Sequence, residues 1–418
     1  MDSLQFIEQE AQALLVRVER MRTLLTQENM VPAAAPARAA AQAIESHVET
    51  GRRQLRRQLQ LFQRDLRQAP AWRAAPVALA QRRFVLLRMR CAAFIAQYDL
   101  FCDALSQRSE RDTGLWLAGL EAAADDAMRT AAPQPLPPVL CYLDRGLGAA
   151  IRRAHTRLPG GSANPVALIR MPRERMVGSG IAASLAHEAG HQVAAQLGLL
   201  PALRDALRQQ GAGQAPAVAA VWRAWERWLG EIVADLWALA RIGIGATLGL
   251  MAVLSLPRAF VFRIGLDDPH PPPALRVALG CVLGHALHPH PQWQAWAATW
   301  DELYPAPAGA AAAELACLRA SLPALAGVLL AQRPAALGGA CLGDAWRDPL
   351  RAPVRLRRLW PERGAGAPAL HALSPCLALA VAGQARADGR LAPAAEAALV
   401  DELLQHWALC RARQALAH

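Results

Sequence analysis

Five residues, His187-Glu188-Ala189-Gly190-His191, constrain this chain more than any other stretch. Two histidines four apart on a helix project from one face, a turn above each other, so both imidazoles reach a single metal ion. The glutamate beside the first histidine is then placed to act on water at that ion. HExxH on a helix is the pattern of zinc hydrolases. The flanking sequence predicts the helix over 179–197. Gly178-Ser179-Gly180 supplies a break and a capping serine, and Ile181, Ala182, Leu185, Ala186, Ala189 and Val193 follow with no proline until Pro201.

HExxH supplies two protein ligands, and a catalytic zinc takes a third. A second glycine and third histidine, as in HExxHxxGxxH, would fall at 194 and 197, where this chain has Ala194 and Leu197. The remaining common solution is a glutamate from a later helix. Glu231-Ile232-Val233-Ala234-Asp235 fits, with Glu231 as ligand and Asp235 one turn on, accepting a hydrogen bond from the outer nitrogen of a ligand histidine. Two carboxylates in an apolar stretch need partners, because burying unpaired charge is expensive. The competing explanation is an exposed helix start at which Glu231 meets the helix dipole. Glu226 is the fallback ligand.

The order HExxH, ExxxD, then His270-Pro271-Pro272-Pro273-Ala274-Leu275-Arg276-Val277 resembles that of the gluzincin metallopeptidases, especially those similar to CAAX prenyl proteases. The likeness covers 178–277 as three short motifs. It implies a zinc-dependent peptidase in which His187, His191 and Glu231 hold Zn²⁺ and Glu188 is the general base. It also implies that His270 donates to the developing oxyanion and that Arg276 orients the site or binds substrate. The flanking transmembrane helices of that group have no counterpart here, so specificity for prenylated peptides is not implied.

Composition removes other chemistries. All 45 basic residues are arginine, so no lysine exists for a P-loop, a kinase site or a Schiff base. The net charge of +11 in an alanine- and arginine-rich chain reflects codon bias, which weakens any inference to nucleic acid. The eight cysteines are scattered without a CxxC pair and read as reduced thiols. Met1-Asp2-Ser3-Leu4-Gln5 lacks a signal-peptide pattern, so a cytoplasmic location is expected.

The expected fold class is mainly α with a small mixed β-sheet. A zincin-like core (short sheet, HExxH helix, ExxxD helix) spans 131–300, between helical regions at 1–130 and 301–418. Leu4, Ile7, Ala11, Leu14, Val18, Met21 and Leu25 form a heptad seam suited to a hairpin within one chain or to self-association or a protein partner through 1–130. After a Pro/Ala link at 32–41, a second helix buries Ile44, Val48, Leu55, Leu59, Phe62 and Leu66. Arg52, Arg53, Arg56, Arg57, Arg64 and Arg67 stand on its other side, read as a solvated face. Further helices are expected over 76–107 and 114–130, and strands over 139–143 and 166–171. An edge strand before the HEAGH helix suits an extended peptide or protein substrate that adds by backbone pairing.

The stretch 231–256 reads as one buried apolar helix. Its uncharged part between Arg241 and Arg258 is 16 residues, short of the roughly 20 a membrane span needs, so membrane contact is not favoured. His285, His288 and His290 read as surface histidines, the tryptophans as core, and Arg355, Arg357 and Arg358 as a basic loop. Tyr304 and His371 have no geometric claim on the cleft. Two other functional readings stay open: a helical scaffold or interaction protein with an inactive or structural zinc site, and a membrane-associated protease.

Overall fold

The computed structural model describes residues 2–21, 30–68, 77–130, 135–146, 148–173, 178–265, 267–361 and 368–416. Leu25, the last position of the heptad seam, lies outside them. The fold is mainly helical with a small mixed sheet of three strands. Residue contacts divide the chain into two compact units. One comprises 1–114, 137–142 and 152–168, the other 115–136, 143–151 and 169–418.

The first unit is built on α1 (Ser3–Arg20), α2 (Arg38–Gln68) and α3 (Val77–Ser106), which pack on one another. The heptad seam is buried inside it. Ile7, Ala11, Leu14 and Val18 meet Ile44, Val48, Leu59 and Phe62 of α2 and Phe84, Leu87, Phe94 and Phe101 of α3. The arginine face of α2 is largely solvated and laced with ion pairs, Arg52 and Arg53 to Glu49, Arg56 to Glu19 and Arg67 to Glu8. Such exposed pairs contribute about 0–1 kcal/mol each.

The chain continues through α4 (Arg111–Ala127) to β1 (Val139–Asp144), β2 (Ala150–Arg152) and β3 (Ala167–Pro172), in the spatial order β1-β3-β2. The strands expected at 139–143 and 166–171 are present. β2, three residues long, falls below what a hydropathy pattern can reveal, yet it is a sheet edge.

The second unit holds α5 (Ser179–Gln196), α6 (Leu199–Gly211), α7 (Pro216–Arg227), α8 (Leu229–Ile242), α9 (Ile244–Leu254) and α10 (Pro273–Leu287). The apolar stretch 231–256 is therefore two helices. Gly243 breaks it with φ of +55°, a left-handed value that glycine alone adopts readily. The 11 residues of α9 reach about 16 Å, half of a bilayer core. Among the described residues no single helix is long and apolar enough to cross a membrane, and one bent pair, 312–320 with 322–331, passes by length and composition only. The residue at the N-cap of α5 is Gly178, with φ of +66° and no side-chain cap, so Ser179 is the first helical residue and not a capping serine.

Small residues set how closely these helices cross. A Cβ on Gly190 would stand 2.9 Å from the Ala234 backbone and 3.0 Å from Trp237 Cβ, and one on Gly249 would stand 2.3 Å from Ala183 Cβ. The glycine inside HEAGH thus lets α5 lie directly on α8, bringing the ExxxD carboxylates to the histidines. Around this contact Trp225, Trp228, Trp293 and Trp300 are fully buried core residues. His288 is buried as well, whereas His285 is exposed. Its position at the C-cap of α10 carries it inward, a turn that helical periodicity does not register. Arg355, Arg357 and Arg358 lie on a short helix, Pro353–Leu359, and Arg357 forms a 2.8 Å pair with Asp388. Gly190→Val forces the α5–α8 crossing apart and is expected to destabilise the protein by about 1–3 kcal/mol. Equilibrium denaturation checks this, and an unchanged midpoint contradicts the packing account.

Candidate metal centre

Every side chain of the three motifs comes together in the second unit. His187 and His191, successive turns of α5, set their rings edge to face with centroids 4.8 Å apart. Glu231, on the first turn of α8, inserts its carboxylate between them. Oε2 lies 3.2 Å from His187 Nε2 and Oε1 lies 3.4 Å from His191 Nε2. One ligand atom from each of the three residues falls within 4.8 Å of the others, the one such group among the described residues. Glu226, the fallback ligand, is elsewhere, holding Arg208 at 2.7 Å.

These separations suit a metal. Donors at about 2.0–2.1 Å from a tetrahedral zinc stand about 3.3–3.4 Å from one another. Imidazole–carboxylate ion pairs have similar lengths, so distance alone does not separate the two. Glu231 Oε2 is buried and ringed by cationic groups, with His270 Nε2 at 3.0 Å, His187 Nε2 at 3.2 Å and Arg276 Nη2 at 3.8 Å. Two imidazoles and a carboxylate are the donor set zinc takes in catalytic sites.

Behind the ligands, Asp235 is one helical turn beyond Glu231. Its Oδ1 accepts from His187 Nδ1 at 2.8 Å, which leaves Nε2 facing the ligand group. The same carboxylate is gripped by Arg276, Nε donating to Oδ2 at 2.5 Å and Nη2 to Oδ1 at 2.8 Å. Arg276 is itself buried on α10, so its charge is met by Asp235 and Glu231 instead of water. It holds Asp235, which holds His187.

His270 stands at the cleft side of Glu231. Its Nδ1 and its backbone N–H both meet Asp268 Oδ1, at 2.8 and 3.0 Å. Asp268 was not singled out by the sequence, although an aspartate two residues before a histidine is the ordinary way to close such a turn. Glu188 points from α5 toward the sheet edge and accepts a hydrogen bond from the backbone N–H of Ile151 on β2. That partner is a backbone group, invisible to residue-type reasoning. Tyr304 donates to the Leu256 carbonyl and His371 stacks on His406 at 3.9 Å, and neither lines the cleft.

No family model, curated protein or solved structure matches this chain. Chemistry must be argued from the geometry.

The electrostatics divide the site. Burial opposes ionisation of Glu231 and Asp235, but His187 and His270 around the first, and Arg276 and His187 around the second, hold both carboxyls well below their usual range. Burial alone would push the His187 imidazolium down, yet Asp235 and Glu231 outweigh it and hold its pKa up to about 9 in the metal-free site. Glu188 goes the other way: burial raises its carboxyl, and His187 offsets this only in part. Hydrogen bonding to Glu231 raises the His270 imidazolium.

Because the His187 pKa is raised from 6.5, its pairing contributes stability that is full below pH 6.5 and lost as pH rises through about 9. A metal ion must displace that proton, so binding releases it. Apparent zinc affinity is expected to rise about tenfold per pH unit from 7 toward 9, with about one proton released. Calorimetry in two buffers of different ionisation enthalpy measures both quantities, and an affinity flat with pH contradicts this picture.

Proposed function

We propose that this protein is a zinc-dependent metallopeptidase of gluzincin type, with a zincin-like core made of the short sheet, α5 and α8. The observation that carries the reading is the convergence of His187, His191 and Glu231 beside Glu188, with His187 and Glu188 lining a cleft of about 480 Å³. Zinc bound there supplies Lewis acidity, polarising a peptide carbonyl and making water a nucleophile near neutral pH.

The protein's own residues supply the rest. Asp235 and Arg276 fix the His187 ring so that Nε2 is the ligand nitrogen. Glu188 takes a proton from the attacking water on a carboxylate oxygen and returns it to the nitrogen of the leaving amine. Burial raises its pKa, which strengthens it as a proton acceptor. His270, set between Asp268 and Glu231, is placed to donate from Nε2 to the oxygen on which negative charge develops. The Gly148-Ala149 segment, leading into the edge strand β2, borders the same cleft and offers backbone groups to an extended peptide.

A purely structural zinc would be closed by a fourth protein ligand. His270, with Nε2 at 3.0 Å from Glu231 Oε2, is the nearest further candidate, so the scaffold reading requires it as the fourth ligand and the catalytic reading does not. Glu188→Gln preserves size and removes the proton acceptor. It is expected to bind zinc with unchanged stoichiometry and to lose about 10²–10⁴-fold in turnover. Metal analysis and hydrolysis of a quenched-fluorophore peptide library check this together, and a variant that keeps most of its activity defeats the base assignment.

A further inference from the structure

A second heptad seam runs along α3 and faces solvent. The inner face of that helix, with Phe84, Leu87, Cys91, Phe94 and Phe101, is buried in the core of the first unit. On the outer side Ala78, Arg82, Val85, Met89, Ala92 and Ala96 follow one another at steps of four and three, and all six are exposed. Leu79 and Leu86 widen the stripe, at 51% and 58% exposed, beside Met89 at 64%. The neighbouring α2 shows the usual arrangement, since its exposed residues from Gln42 to Gln68 are all arginine, glutamine, serine or threonine. A helix that is apolar all round is normally enclosed on every side, and a contiguous exposed apolar patch marks an interaction site.

Charge decides what this face accepts. Between Asp65 and Asp99 the sequence has arginines but no acidic residue. Arg67 and Arg83 are engaged, with Glu8 at 2.5 Å and Asp65 at 3.0 Å. Arg82, Arg88 and Arg90 meet no carboxylate among the described residues, and Arg90 instead reaches the Gln58 amide at 3.4 Å. Arg82 sits within the seam, and helical spacing sets Arg88 and Arg90 on either side of it. A second copy of this chain would lay these arginines against their own counterparts, and like charges facing across an interface are costly. A lipid surface is met by long apolar side chains that reach into it. The second half of this seam is Ala92 and Ala96, which reach nowhere but let another helix approach closely.

We propose that the outer face of α3 docks an acidic amphipathic helix of a partner protein. The partner's apolar stripe lies against Val85, Leu86 and Met89, and its aspartate or glutamate side chains pair with Arg82, Arg88 and Arg90. From Ala78 to Ala96 the seam runs about 27 Å, which matches a partner helix of about 18 residues. Beside Val85 a groove of about 550 Å³ opens between α1 and α3, lined by Phe6, Val77, Phe84 and Arg88 among others, and gives one apolar anchor of the partner a socket. The surface belongs to the first unit alone, so it stands independently of the peptidase reading.

Two synthetic helical peptides of about three heptads, identical in a leucine seam, carry glutamate or lysine beside it and are titrated into the full-length protein. The glutamate peptide is expected to bind about tenfold tighter or better, with an affinity that falls as salt is raised. Met89→Glu, on the exposed seam, is expected to weaken that peptide by about tenfold or more while leaving the thermal midpoint in place. The paired variant Arg82→Glu, Arg88→Glu should reverse the preference toward the lysine peptide. Binding of neither peptide, equal binding of both, or an affinity untouched by Met89→Glu overturns the proposal. Vesicles of phosphatidylcholine with about one quarter phosphatidylserine test the lipid alternative, and sedimentation velocity tests self-association. Vesicle binding without peptide binding, or a dimer that Met89→Glu dissolves, also overturns it, by giving the face to a membrane or to a second copy.

Discussion

The Asp235 carboxylate is the contact on which the site depends. It joins three helices, accepting from His187 on α5 and from Arg276 on α10 while projecting from α8 one turn beyond Glu231. Burying that carboxylate is costly unless its oxygens are met by charged, aligned donors. Both are, by a bidentate guanidinium and an imidazole, so the group stays ionised although it is enclosed. The same arrangement fixes which nitrogen of His187 faces Glu231. A buried network of this kind gains little net stability over an apolar core, but it admits one geometry.

That network is reachable because of small residues. Gly190 allows α5 to rest on the Ala234 backbone of α8, and Gly249 brings α9 against Ala183 and Ser179. A side chain at Gly190 would hold α5 and α8 apart and carry the α8 carboxylates away from the histidines. Gly190 within HEAGH therefore has a mechanical role.

The chemistry-bearing part of the site was legible because it rests on helical spacing. Residues four apart share a face, so His187 with His191, and Glu231 with Asp235, were placed before any coordinates. Arg276 enters only through the family resemblance, as the arginine six residues after His270. Contributions made by the backbone were not legible: the Ile151 N–H on Glu188, the three-residue strand β2, and the left-handed Gly243 that divides one apolar run into α8 and α9. Burial that depends on where a chain turns, as at His288, was also missed.

The central claim is that two imidazoles and one carboxylate, His187, His191 and Glu231, form a single open zinc site. X-ray absorption at the zinc edge on protein loaded with one equivalent tests it most directly. The account predicts two imidazole nitrogens with only oxygen completing the shell, and loss of the imidazole signal in the paired variant His187→Ala, His191→Ala. Sulfur in the shell, or an unchanged spectrum in that variant, would place the zinc elsewhere and contradict the account.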